Sequence, residues 1–304
     1  MDAADDRLQE VQASDPRYVE ARRVLLDALI GLREHAASLI LVGAQAVYIR
    51  TGDADIAVAP YTLDGDLALD PRSIGDEPRI EAAMEAAGFR QSITQGHAKP
   101  GSWIRPASLG SETFNVPVDL IVPSGFARPG GRRGARLGVH GKRAARVTVG
   151  LEGALIDKSP FTIRALDSDD KREAKIDVAG VAALLMAKAH KIRDRAHEPK
   201  SGRAGDKDAA DVIRMMRKTP ISVVTNSFSG LLAHEIAGPP AQTALTYLDD
   251  LFGRRGGLGI QMAARALESA FTERDIQILS VAYTEALRDS LAAHQLTVIP
   301  PESA

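Results

Sequence analysis

Apolar residues recur at helical spacing over residues 17–37, where Val19, Ala21, Leu25, Leu26, Ala28, Leu29 and Leu32 form a stripe. That period predicts an amphipathic helix at the start of the chain. The pattern then changes. Leu39-Ile40-Leu41-Val42 is a continuous apolar run, short enough for a buried strand, and it stops at Gly43-Ala44. A turn there would lead into a second helix beginning near Ala46-Val47-Tyr48-Ile49. Gly, Asp and Pro across 51–63 predict a loop, and 64–69 a strand whose second half alternates. Residues 77–88 read as a helix stopped by Gly88. Residues 114–122 alternate and then run apolar, as a central strand does, before Pro123-Ser124-Gly125 ends it.

From about residue 177 the pattern is helical. Asp177 is a candidate N-cap for a helix through Leu184, Leu185, Ala189 and Ile192 to about residue 196. Residues 197–206 predict a loop, after which Asp206 opens a helix containing Val212, Ile213 and Met215. Pro239-Pro240 and Gly256-Gly257 punctuate further helices over 240–252 and 258–292. The expected fold class is therefore α/β: a domain with a mixed sheet over 1–165, followed by an α-helical domain over 166–304. No internal repeat is present.

Composition narrows the function. The 304 residues are 44% hydrophobic and 26% charged, with a formal net charge of -2. There is no cysteine, which excludes disulfides and thiolate-ligated metal centres. No stretch approaches the roughly 20 apolar residues of a membrane-spanning helix, and the acidic, polar start lacks the features of a signal peptide. A cytoplasmic protein without membrane association is expected. Near-neutral charge means that any nucleic-acid binding must rest on local patches.

One patch is evident. Residues 127–146 carry six Arg, one Lys, one His and five Gly, with no acidic residue. A packed element is not expected there. An Arg-rich, Gly-rich loop of this kind suits RNA phosphates, which it would bind in a salt-dependent way. Its ordinary alternative is a solvated loop pairing with acidic surface.

The candidate chemistry lies in carboxylates. Asp64 and Asp66 flank one residue of a predicted strand, so their side chains share a face. Two carboxylates placed so repel each other unless a cation joins them, and hard oxygen donors of this kind suit Mg²⁺. Asp119 interrupts the apolar strand Val118-Asp119-Leu120-Ile121, where a charge needs a partner. If the two strands are neighbours, three carboxylates converge. Alone, an Asp-x-Asp is commonly a turn or a solvated pair, and Asp119 a local cap. Asp53 and Asp55 form a rival pair, but they follow a glycine in loop-like sequence.

Taken in order, Ile40-Leu41-Val42-Gly43-Ala44-Gln45-Ala46, Thr62-Leu63-Asp64-Gly65-Asp66-Leu67 and Val118-Asp119-Leu120-Ile121 resemble the signature of DNA polymerase β-like nucleotidyltransferases. The resemblance implies that the turn at Gly43 and Ala44 cradles a nucleoside triphosphate through backbone N–H groups. It also implies that Asp64, Asp66 and Asp119 hold Mg²⁺. The chain departs from that family in having Ala44 where Gly or Ser is usual, and in a longer gap between Gly43 and Asp64.

On the first helix after 177, Lys188, Lys191 and Arg195 form a basic stripe. The next helix carries Lys207-Asp208-Ala209-Ala210-Asp211, whose plainest reading is an intrahelical ion pair between Lys207 and Asp211. A solvated basic face would explain the stripe equally. Together the two helices resemble the AbiEii-like branch of the superfamily, nucleotidyltransferase toxins of bacterial toxin–antitoxin systems. The resemblance covers about residues 38–215. It implies that Lys188, helped by Lys191, contacts the triphosphate, and that Asp211 orients Lys188 or the catalytic groups. The implied activity is Mg²⁺-dependent transfer of a nucleotide from an NTP to an acceptor hydroxyl, with the 3′ end of tRNA as the expected acceptor and an antitoxin as a possible partner. Nucleotidylation of a protein or small molecule, and a catalytically silent nucleotide- or RNA-binding module, are the alternatives. His190, turned about 100° from Lys188 on an ideal helix, and Trp103 are expected to be structural.

Overall fold

The structure is a computed structural model that describes residues 15–52, 62–127, 134–196 and 205–298. Asp15 starts the first helix, α1 (Pro16–Gly31), by accepting hydrogen bonds from the backbone N–H groups of Arg17 and Tyr18, with Pro16 in the first turn. Its stripe from Tyr18 to Leu29 is buried. The helix ends earlier than the periodicity suggests, because Arg33–Ser38 tightens into a 3₁₀ turn before β1 (Leu39–Val42). Next come α2 (Gly43–Thr51), β2 (Gly65–Leu69), α3 (Ile80–Ala86), β3 (Arg90–Thr94), β4 (His97–Leu109) and β5 (Glu112–Pro123). Then follow β6 (Arg146–Thr148), β7 (Lys158–Arg164) and β8 (Glu173–Ala179).

These strands make one mixed eight-stranded sheet in the order β3-β4-β5-β2-β1-β8-β7, with β6 paired to β5. β1 and β2 are antiparallel, and β2 runs parallel to β5. The three central strands are the apolar ones, buried on both faces. β4 covers β5 up to the pair Ser102↔Asp119, after which β6 takes over the same edge in parallel, Ile121 facing Arg146. The exchange happens at Gly101 (φ 71°), where a Cβ would run into Arg146 N and Leu120 O, so only glycine fits. Trp103 is buried beside it and donates from Nε1 to Ala144 O at 3.0 Å.

Three expectations change. Asp177 is no helix cap: it lies on β8 opposite Ile40 and Pro160. The helix begins at Val181, and Asp157 serves its first turn, accepting from Ala183 N at 3.0 Å. The sheet thus runs to Ala179, past residue 165. The Arg-rich segment is also partly packed. Ala135, Leu137, His140, Ala144 and Ala145 are buried, His140 accepting from Ile80 N and bonding Gly75 O, so the part of the segment from residue 134 on is pinned to the core. Arg136, Lys142 and Arg143 remain exposed.

The C-terminal part consists of α4 (Val181–Ala196), α5 (Asp206–Lys218), α6 (Ile221–Ala233), α7 (Gly238–Phe252), α8 (Leu258–Ala266) and α9 (Glu273–Val298). It shares one hydrophobic core with the sheet. α5 packs on α2, where Arg214 donates to Gly52 O at 3.4 Å and stacks over Tyr48. Among the described residues, no helix is long and apolar enough to cross a membrane.

Candidate functional site

The floor of the site forms where β1 ends and α2 begins. Val42 is the register partner of Asp66 on β2, and Asp66 is in turn the partner of Asp119 on β5. Parallel pairing with matched register sends both carboxylates to one face of the sheet. Gly43, with φ 71°, turns the chain from β1 into α2 directly over Asp66. No side chain caps α2, so its first N–H groups present the positive end of the helix dipole at this point.

Asp64 stands immediately before β2. Thr62 Oγ1 donates to its carboxylate, and Gln45 Nε2 donates to its backbone O at 3.1 Å. Gln45 is itself held by the buried Arg22, which donates from Nε at 2.9 Å and from Nη2 to Tyr18 OH at 2.9 Å. This chain of buried hydrogen bonds fixes Asp64 from α1. Burial pushes Asp64 upward, but the Thr62 hydroxyl and the nearby Lys207 and Lys191 outweigh it and hold the carboxyl below the usual range. Asp66 behaves oppositely. Burial, then repulsion from Asp64 and Asp119, push it up to about 6 against the pull of Lys191 and Arg146.

The facing wall carries four cations, Arg146, Lys188, Lys191 and Arg195, and one carboxylate, Asp194. Gly43, Asp66, Arg146, Thr148, Lys188, Lys191 and Arg195 line a cleft of about 280 Å³ between the sheet edge and α4. Arg146 donates from Nη2 to Asp119 Oδ2 at 3.0 Å and from Nη1 to Thr148 Oγ1 at 2.8 Å. The second oxygen of Asp119, Oδ1, is buried with no partner, as is Arg146 Nε.

The basic stripe on α4 divides in two. Lys188 is only 4% exposed and donates to Asp208 Oδ1 at 2.7 Å and Asp211 Oδ2 at 2.6 Å. It edges the cleft, and its two bonds join α4 to α5. Asp211 therefore meets Lys188 across two helices, and Lys207, one turn before it on α5, also feels its charge. Burial works against the Lys188 ammonium, yet the two carboxylates raise it well above the usual lysine range. Lys191 and Arg195 are more open. Lys191 Nζ lies 3.1 Å from Asp208 Oδ1 and Arg195 Nη1 2.6 Å from its Oδ2, so both face the cleft from a shared carboxylate. Lys207 lies on the Asp64 side, its ammonium lowered by burial despite Asp64 and Asp211.

Gly43, Asp66, Lys188 and Lys191 thus line one cleft; Asp119 joins it through Arg146, Asp211 through Lys188, and Asp64 lies near enough to Asp66 to repel it. Ala44 is buried in the first turn of α2. Asp53 and Asp55 lie outside the described residues. His190 points away: its Nε2 bonds Pro240 O at 2.9 Å and its ring packs on Tyr247. Arg146, Thr62 and Asp208 hold places at the site to which the sequence assigned no role. Thr62 had a signal in its spacing two residues before Asp64, whereas Arg146 was hidden among the other arginines of a segment read as loop.

The donor set at the floor is all carboxylate oxygen, which suits a hard divalent cation. Among the described residues no three His, Asp or Glu side chains stand as an assembled metal-holding group. Even so, the unpartnered Asp119 Oδ1 and the repelled Asp66 are groups that a cation would satisfy. Neither a comparison with protein-family models nor one with curated protein sequences gives a match for this chain.

Proposed function

We propose that this protein is an Mg²⁺-dependent nucleotidyltransferase of the polymerase β-like superfamily, in its AbiEii-like branch, acting on RNA. The observation that carries the reading is the register pair Asp66↔Asp119 on parallel strands beneath the N-terminus of α2, faced by a wall of cations. A glycine turn, a helix N-terminus and paired carboxylates together suit a triphosphate with its metal.

The cleft, at about 280 Å³, falls just under the ~300 Å³ at which pockets for whole small molecules begin. The triphosphate part of a nucleotide is its proposed occupant. The first N–H groups of α2 bind phosphate oxygens, and Lys191 and Arg195, two of the three cations that Asp208 holds, neutralise them. Lys188 and Asp211 act behind them, fixing α4 against α5 so that Lys191 keeps its place. Asp64, Asp66 and Asp119 would hold Mg²⁺, which when bound neutralises phosphate charge and eases ionisation of the attacking hydroxyl. In the reaction, the acceptor hydroxyl oxygen forms a bond to the α-phosphorus. The bond from that phosphorus to the oxygen bridging the β-phosphate breaks, pyrophosphate leaves with that oxygen, and the hydroxyl proton passes to solvent.

The acceptor reading rests on Arg136, Lys142 and Arg143, exposed on the segment that also carries Arg146. Cations in that position draw in an RNA backbone beside the cleft, and the 3′ end of tRNA is the proposed acceptor. A toxin role with a cognate antitoxin follows by analogy with the branch alone. The test is incubation of the full chain with Mg²⁺, each α-³²P-labelled NTP and total tRNA, beside Asp66→Ala. Label on tRNA with the wild type alone supports the proposal. Label on protein moves the acceptor to a polypeptide. NTP binding without transfer of label identifies a silent nucleotide-binding module.

A further inference from the structure

We infer that Arg146 is a latch on the carboxylate site: its guanidinium holds Asp119 in place of a metal until a triphosphate offers it another anion. The inference rests on the metal-site reading above and deepens it.

Four observations carry it. Arg146 takes one oxygen of Asp119 and leaves the other buried and unpartnered, so the carboxylate is half satisfied. The guanidinium is itself half satisfied, since Nε has no partner. Its position is built: β6 pairs with β5 at Ile121↔Arg146, and Gly101 lets β4 give way there. Finally, Arg146 and Thr148 line the cleft opposite Lys191 and Arg195, so a phosphate in the cleft comes within reach of the arginine.

The physical consequence is competition. A cation approaching Asp66 must displace a charge-assisted hydrogen bond, one of the stronger kinds, before Asp119 can join it. Release is favoured when a triphosphate enters, because guanidinium binds phosphate oxygens in the same planar, bidentate manner as carboxylate. Metal and nucleotide then bind with positive coupling: each favours the state in which Arg146 has left Asp119.

The test uses the full chain and Mn²⁺ as the probe, with free Mn²⁺ followed by electron paramagnetic resonance without nucleotide. Arg146→Gln is expected to tighten Mn²⁺ binding at least about tenfold, the factor that 1.4 kcal/mol corresponds to. In an Asp119→Asn background the same substitution is expected to change Mn²⁺ binding little, because the latch has already lost its catch. If Arg146→Gln fails to fold, Arg146→Lys carries the test with a smaller tightening, since one ammonium cannot span Asp119 and Thr148 as the guanidinium does. Inorganic triphosphate is expected to tighten Mn²⁺ binding more in the wild type than in the Arg146 variant. An Arg146→Gln gain that persists unchanged in the Asp119→Asn background would mean a general charge effect and overturn the latch. Unchanged or weaker Mn²⁺ binding in Arg146→Gln, with binding still lost in Asp66→Asn, would overturn the latch and leave the metal site standing. Mn²⁺ binding that neither Asp66→Asn nor Asp119→Asn weakens would remove the metal site itself.

Discussion

A Cβ placed on Gly43 would stand 2.9 Å from Asp66 Cγ and overlap its Oδ2, so the turn that opens α2 and the central carboxylate occupy one another's only space. Gly43 also has φ 71°, a conformation costly for any residue with a side chain. Gly43→Ala is therefore expected to destabilise the fold by about 1–3 kcal/mol and to displace Asp66. Chemical denaturation reads the first effect and Mn²⁺ binding the second. A variant with unchanged stability and unchanged Mn²⁺ affinity would show that the turn has room to spare.

Asp66 is raised from 3.8 to about 6 by burial and by its acidic neighbours. A carboxylate whose folded-state value exceeds its unfolded value binds more protons when folded, so it subtracts stability progressively as pH rises between about 4 and 6. Asp66→Asn removes that penalty. It is expected to stabilise the metal-free fold by about 1–3 kcal/mol at pH 7, with the gain shrinking below pH 6 and gone near pH 4. Urea titrations of both proteins at several pH values in EDTA check this, and a destabilised Asn variant at pH 7 would refute it. Functional sites commonly hold groups that the fold alone would reject.

Lys188 and Lys191, one helical turn apart, are expected to fail differently. Lys188→Met leaves Asp211 buried without its partner and costs about 3–5 kcal/mol, measured by denaturation. Lys191→Gln removes an exposed ammonium from the buried Asp208, which keeps Lys188 and Arg195, and is expected to change stability by less than about 1 kcal/mol, yet to lower nucleotide affinity. Equal stability losses in the two would contradict the division of the stripe into a clamp and a phosphate contact.

The exposed cations of the described basic segment are the proposed RNA contacts. Replacing Arg136, Lys142 and Arg143 together by Gln is expected to weaken tRNA binding and lower the slope of log K against log salt by about 2. Filter binding at several salt concentrations measures it. An unchanged slope would place the RNA elsewhere on the surface.

Much of this site was legible from residue patterns. The apolar runs at Leu39–Val42 and around Asp119 marked strands because both are buried on two faces, and charge inside such runs is conspicuous. The strands flanking that centre were not legible. β4 contains Pro100, Gly101 and Pro106, and its buried and exposed positions do not alternate, so its hydrophobic pattern is weak. β8 was hidden because Asp177 resembles a helix cap, whereas the cap comes from Asp157, a relation that only tertiary structure creates. Composition also misled over the Arg-rich segment. Small buried residues, Ala135, Ala144 and Ala145, pack without a periodic signal and bring Arg146 to Asp119. The inward turn of Lys188 likewise depends on α5 lying across α4, which spacing along one helix does not reveal.

The central claim is that the carboxylate floor and the cation wall form one site for a metal-bound triphosphate. Thermal unfolding of the full chain with each NTP, in Mg²⁺ and in EDTA, tests it most directly in wild type and Asp66→Asn. At least one NTP is expected to raise the wild-type melting temperature in Mg²⁺, about 2.7 kcal/mol of stabilisation at a hundred times Kd. This increment is expected to be largely lost in EDTA and in Asp66→Asn, although the variant starts from a higher melting temperature. An equal increment in EDTA, or one undiminished by Asp66→Asn, would contradict it.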